Sequence, residues 1–234
     1  PRYYGMNLKY PAISLIKNGK VRSALFSCAR LFSHAKRFDK FEEFVKNNFR
    51  LSKQRYSIES LEKANLDYDV LVCESDVIWS PNFFGGEFDP AFFLHLQSME
   101  GKKKVAYSPS MANGGLNKHQ EEEIREWTKD FFAISARESY TVEYLKNICE
   151  RDVEWVLDPV FLLDAKEYDR IACERLIDEP YLLLYFPLEH NVDIIKRAKE
   201  YAKAHNLKLV EISRFPWDKL SHKTITDAGI EEFL

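Results

Sequence analysis

From Tyr68 to Asn82 the chain reads YDVLVCESDVIWSPN, and this stretch constrains the fold more than any other. Its apolar run, Val70 to Cys73, stops abruptly at Glu74, Ser75 and Asp76. A short apolar run bounded by polar residues suits a strand buried on both faces, as in the parallel sheets of α/β proteins. Open α/β sheets bind their ligands beyond the C-terminal ends of the strands. The same residues therefore predict a fold class and a site at the strand tip.

The rest of the chain supports that reading by alternation. Strand patterns fall at 69–73, 103–107, 132–135 and 153–157, with helical patterns at 118–131 and 138–148. Glu121, Glu122 and Glu123 sit in the first half of the first of these helices, where carboxylates suit the dipole. A second set starts near Glu179 and Pro180, with strands at 181–185 and 207–212 around a helix at 191–205. Alternating strands and helices argue for parallel βαβ units. The expected fold is thus α/β, two Rossmann-like parallel-sheet halves, the second truncated. Residues 1–163 form the N-terminal half, 164–178 the linker and 179–234 the start of the C-terminal half. Residues 21–50 read as an amphipathic helix, with Leu25, Phe26, Ala29, Phe32, Phe38, Phe41, Phe44 and Val45 at three- and four-residue spacing. Its polar face carries Arg22, Arg30, Lys36, Arg37 and Lys40, so it can pack on a sheet or lie on an anionic membrane surface.

Bulk properties exclude several classes. A formal net charge of −3 over 234 residues carries no basic footprint for nucleic acid. No run approaches the ~18 apolar residues of a membrane span, and no signal-peptide core is present. Cys28, Cys73, Cys149 and Cys173 form no Cys-x-x-Cys pair, and the six histidines cluster with nothing at ligand spacing. Reduced cysteines, no metal and a cytoplasmic location, at the inner face of the membrane, are expected. The chain starts at Pro1 and ends in what reads as the first turn of a helix, with Asp227 as its N-cap. We expect an internal piece of a longer protein, lacking its first strand and inactive alone.

Five stretches in order resemble the polysaccharide pyruvyl transferase family. Glu74 to Pro81 resembles its Gly-Ser-Asp-x-x-Trp-x-Pro signature, with Glu74 where the family has Gly. Asp89 to Leu94 resembles its Asp-Pro-x-aromatic-Phe-Leu segment, and Lys103 to Ser110 its Lys-x-Ala-Tyr-Ala-Pro-Ser strand and loop. Ile134 to Glu138 resembles its Ile-Ser-Val-Arg-Glu turn, and Val156 to Leu163 its Leu-Asp-Pro-Thr-Leu-Leu run. Phe38 to Ser52 resembles the helix before the signature. The resemblance implies an architecture similar to GT-B glycosyltransferases. It also implies transfer of a pyruvyl group from phosphoenolpyruvate to two hydroxyls of a sugar, in a polysaccharide or a lipid-linked precursor, with no cofactor. A nucleotide-sugar glycosyltransferase and a non-catalytic member of the family are the alternatives.

Such chemistry needs a cation for the donor and a base for the attacking hydroxyls. Arginine suits a carboxylate or phosphate, and Arg137 follows a short strand directly; pairing with Glu138 or a helix end, as a cap, is its alternative role. The resemblance ties the matching arginine to donor binding and places the family's matching Asp, here Asp76, in the active cleft. Capping of the next turn is the alternative role for Asp76. Ser75, Ser108 and Ser110 are expected to bind substrate, with Asn113, Gly114 and Gly115 offering backbone amides. Trp79 and Tyr107 are candidates to stack on a sugar, with core packing as the alternative. His190 is read as a surface residue. Asp158 and Pro159 are assigned to structure rather than chemistry. Glu74 puts a second carboxylate beside Asp76; such a pair suits acid–base work but also repels an anionic donor.

Overall fold

A computed structural model describes residues 21–112, 115–186, 191–213 and 223–234, with the backbone alone for 21–34, 83 and 84. Asn113, Gly114, His190 and His222 lie outside the described residues. The protein is α/β, with parallel sheets of four and three strands and seven helices among the described residues. It divides into two compact units. One is Ser52–Asp164; the other joins Ala165–Leu234 to helix α1 (Val21–Asn48), which had been expected with the first half.

In the Ser52–Asp164 unit the strands lie in chain order: β1 (Val70–Glu74), β2 (Lys103–Tyr107), β3 (Phe131–Ala136) and β4 (Glu154–Trp155), all parallel. A short helix, α2 (Ile58–Glu62), precedes β1. The crossovers carry α3 (Lys118–Trp127) and α4 (Ser139–Cys149). Stepwise order with right-handed crossovers puts successive connections on one face of a sheet. Cys73, Ala106, Ile134 and Ala136 are accordingly buried, together with Ile124 and Leu145 from the helices. This corrects the expectation that β1 is buried on both faces: Val70 is 45% exposed and Val72 51%. Trp79 and Phe93, both fully buried, stack 4.7 Å apart and anchor the loop after β1 to this core.

Element ends follow local hydrogen bonding. Asn117 caps α3 by accepting the Gln120 N–H at 3.0 Å, and the Gln120 side chain accepts the Asn117 N–H at 2.9 Å. The helix expected to reach residue 131 stops at Trp127. Thr128 turns its hydroxyl back on the Ile124 carbonyl at 2.6 Å, and Phe131 already belongs to β3. The strand expected at 153–157 pairs only through Glu154 and Trp155. Past Val156 the chain enters Asp158 and Pro159, and proline brings no N–H to a ladder.

In the other unit β5 (Tyr181–Tyr185), β6 (Lys208–Ile212) and β7 (Lys223–Ile225) pair in parallel and in order. A one-turn helix, α5 (Ala165–Asp169), comes before them. Asn191 caps α6 (Val192–Ala204) by accepting the N–H groups of Asp193 and Ile194. Ala198 and Ala202 of α6 pack on Leu182, Leu184 and Leu209. The last helix, α7 (Ile230–Phe233), is capped at Gly229, not at the expected Asp227: the Glu232 carboxylate accepts the Gly229 N–H at 2.8 Å. Glu232 also pairs with Lys40 of α1. Asp39, Glu42 and Glu43 interleave with Lys36 and Lys46 on the exposed part of α1, so this part is mixed in charge rather than basic. Among the described residues no helix is long and apolar enough to cross a membrane.

One buried charge contributes to the first unit's stability. Lys104, 2% exposed, is the second residue of β2 and donates to Asp130 at 2.6 Å. Leaving a buried ammonium unpaired costs more than the net value of the pair. Asp130→Ala is therefore expected to lower unfolding stability by about 2 kcal/mol in urea titrations. Adding Lys104→Met should recover most of the loss; an unchanged midpoint in Asp130→Ala would show the pair to be idle.

Candidate functional site at the strand tips

The C-terminal ends of β1, β3 and β4 bring Ser75, Arg137 and Asp158 into one hydrogen-bonded cluster. Arg137 donates from Nη1 to Asp158 Oδ2 at 2.7 Å and to Ser75 Oγ at 3.3 Å, and from Nε to Glu138 Oε1 at 3.0 Å. The Ser75 hydroxyl in turn donates to Asp158 Oδ2 at 2.8 Å. Asp158 also caps the short 3-10 turn Pro159–Leu162, its Oδ1 accepting the Val160 N–H at 3.1 Å. The indole N–H of Trp155, a residue 66% exposed, donates to the Arg137 carbonyl at 3.2 Å.

Burial alone would raise the Asp158 carboxyl. The Ser75 hydroxyl, the Val160 N–H and Arg137 outweigh it and hold the group below its ordinary value. Burial likewise works against the Arg137 charge, and the carboxylates of Asp158 and Glu138 more than restore it. At neutral pH the Arg137 guanidinium therefore stands against an ionised Asp158.

The backbone at these tips is strained. Ser75, Asp76 and Ser108 adopt φ of 49°, 50° and 53°, and Ala112 adopts 56°. Non-glycine residues rarely sit there, and such strain concentrates at functional sites. Glu74 is the last residue of β1 and keeps extended geometry, so no glycine freedom is needed at that position. Hydrogen bonds hold the turn: Ser75 N–H to Tyr107 O at 2.9 Å, Ser110 N–H to Asp76 O at 2.8 Å and Trp79 N–H to Ser110 O at 3.2 Å.

The structure sorts the residues expected at the site. Asp76 is exposed, and its Oδ1 accepts the Val77 N–H at 2.8 Å, the turn-capping role; Arg137 bonds Ser75 and Asp158 instead. Ser110 is a buried stitch whose hydroxyl accepts the Ala112 N–H at 3.2 Å. Ser108 is fully buried at the tip of β2, between the tips of β1 and β3. Its N–H is taken by Ser135 Oγ at 3.0 Å, and its own hydroxyl has no partner among the described residues. Tyr107 is half-buried and contributes its carbonyl. Trp79 offers no face to a sugar: it is fully buried against Phe93, and its indole N–H donates to Phe92 O at 3.0 Å. Asp158, assigned to structure, caps its turn and also pairs with Arg137, and Glu138, the alternative partner for Arg137, takes its Nε. The signal for Asp158 was present, since it follows a strand just as Arg137 does. A cavity of about 590 Å³, lined by His95, Lys104, Lys129 and Asp130 among others, lies at the opposite end of the strands, away from where such sheets bind ligands.

The described residues thus define an α/β protein with a charged, strained polar cluster on its strand tips. Residues 15–234 match the family model for polysaccharide pyruvyl transferase, nearly the whole chain, and the protein belongs to that family. No curated protein and no solved structure matches the chain significantly.

The depressed Asp158 value has a consequence in acid. Its ion pair stabilises the fold above the ordinary carboxyl value of about 3.9 and is lost as pH falls through the lower folded value. Asp158→Asn should therefore be less stable than wild type at pH 7. The difference should shrink below about pH 4 in denaturant titrations. A difference independent of pH would place the stabilisation elsewhere.

Proposed function

We propose that the protein is a transferase that moves the pyruvyl group of phosphoenolpyruvate onto two hydroxyls of one sugar, as a cyclic ketal. The family supports a transferase of polysaccharide synthesis. The observation that carries the finer reading is Arg137, a cation presented at the strand tips where α/β sheets bind ligands. In the reaction the methylene carbon of phosphoenolpyruvate takes a proton and one sugar oxygen bonds to the neighbouring carbon. Phosphate leaves with its bonding pair, and a second sugar oxygen takes its place. Of the two hydroxyl protons released, one balances the proton on the methyl group and one leaves with phosphate. In this reading Arg137 binds the anionic donor, and the carboxylate of Asp76, which is exposed, accepts a hydroxyl proton. We assign the acceptor to a cell-surface polysaccharide or its lipid-linked precursor, modified in the cytoplasm. Two separate parallel sheets support, as part of this reading, a GT-B-like architecture.

The test is phosphate release from phosphoenolpyruvate by the full-length protein, with and without a panel of methyl glycosides. Release should depend on a glycoside, whose mass should grow by one pyruvate less one water. Arg137→Gln should reduce release at least about tenfold, the loss of one charge-assisted contact. Consumption of a nucleotide sugar with phosphoenolpyruvate untouched would favour a glycosyltransferase instead.

A further inference from the structure

We infer that Asp158, with Ser75 as its relay, is a positioning residue that fixes which edge of the Arg137 guanidinium meets the substrate. A guanidinium has five N–H donors in a rigid plane. Here Nε is held by Glu138, and Nη1 by Asp158 and Ser75. Among the described residues Nη2 has no partner. The holders are themselves held. Val160 N–H and Ser75 O–H fix the two oxygens of Asp158, and Tyr107 O fixes the Ser75 backbone. The Arg137 carbonyl is fixed by Trp155. The orientation is therefore anchored to the ends of all four strands.

Two things follow. With Nε and Nη1 occupied, an incoming carboxylate or phosphoryl oxygen meets Nη2, a contact through one nitrogen rather than a two-nitrogen fork. Asp158 also offsets part of the charge that draws the donor, so its role is alignment rather than attraction. This inference rests on the pyruvyl-transfer reading, in which an anionic donor lies against Arg137.

Two readouts test it. In nitrogen-resolved NMR of the Arg137 side chain, wild type should show slowed guanidinium rotation, and Asp158→Ala should show fast averaging. In phosphate release with a glycoside, Asp158→Ala should lower kcat at least tenfold and leave KM for phosphoenolpyruvate within threefold. Ser75→Ala should show a smaller loss of the same kind, and Asp158→Glu should recover part of kcat. Unchanged Arg137 signals and kcat in Asp158→Ala would overturn the inference. A kcat loss that only follows a lower folded fraction, with the signals unchanged, would overturn it as well. If the full-length wild type turns over no phosphoenolpyruvate, the reaction assignment fails, and the Arg137 signals alone decide the positioning role.

Discussion

The organising interaction of the Ser52–Asp164 unit is the ion pair between Arg137 and Asp158, bridged by Ser75. It spans the tips of β1, β3 and β4, while the Tyr107 carbonyl brings in β2 through the Ser75 N–H. A hydrogen bond to a charged group contributes roughly 1.5–3 kcal/mol. A left-handed non-glycine residue costs of order 1–3 kcal/mol. Four such residues crowd the same tips, so contacts of the first kind are needed to hold geometry of the second kind. Sheet register and site geometry are thus one problem. Shifting a strand by one residue would turn Ser75 or Arg137 to the other face and leave a half-buried guanidinium without its partners.

That coupling decides what was legible in the sequence. The strands were readable because their apolar runs and polar stops are local features, and β1, β2 and β5 lie within a residue of where the pattern puts them. Their burial was not readable. Whether a strand is covered on both faces depends on strand order, which no run of residues encodes, and the stepwise order leaves Val70 and Val72 exposed. Strand β7 has three residues, too few for a period to show. The end of α3 turned on one hydroxyl, that of Thr128.

The site was legible to the level of the strand tip and no further. Arg137 was picked out because it follows a strand. Asp158 follows one as well, but the Pro159 beside it drew the reading toward a turn. Both roles are real: one carboxylate oxygen caps the turn and the other holds Arg137. Residue type could not separate Trp79 from Trp155. The first is fully buried in the core and the second stands 66% exposed beside Arg137. Which tryptophan meets solvent follows from the packing of the loop after β1, where Phe93 claims the face of Trp79.

The most direct test of the central claim is a double-mutant cycle in unfolding stability at pH 7, using Arg137→Ala, Asp158→Ala and the pair together. A shared, half-buried ion pair predicts a coupling of at least about 1 kcal/mol, with the double variant less destabilised than the sum of the single ones. Additivity within about 0.5 kcal/mol would mean that the two side chains do not depend on each other, and that the strand tips are held by something else.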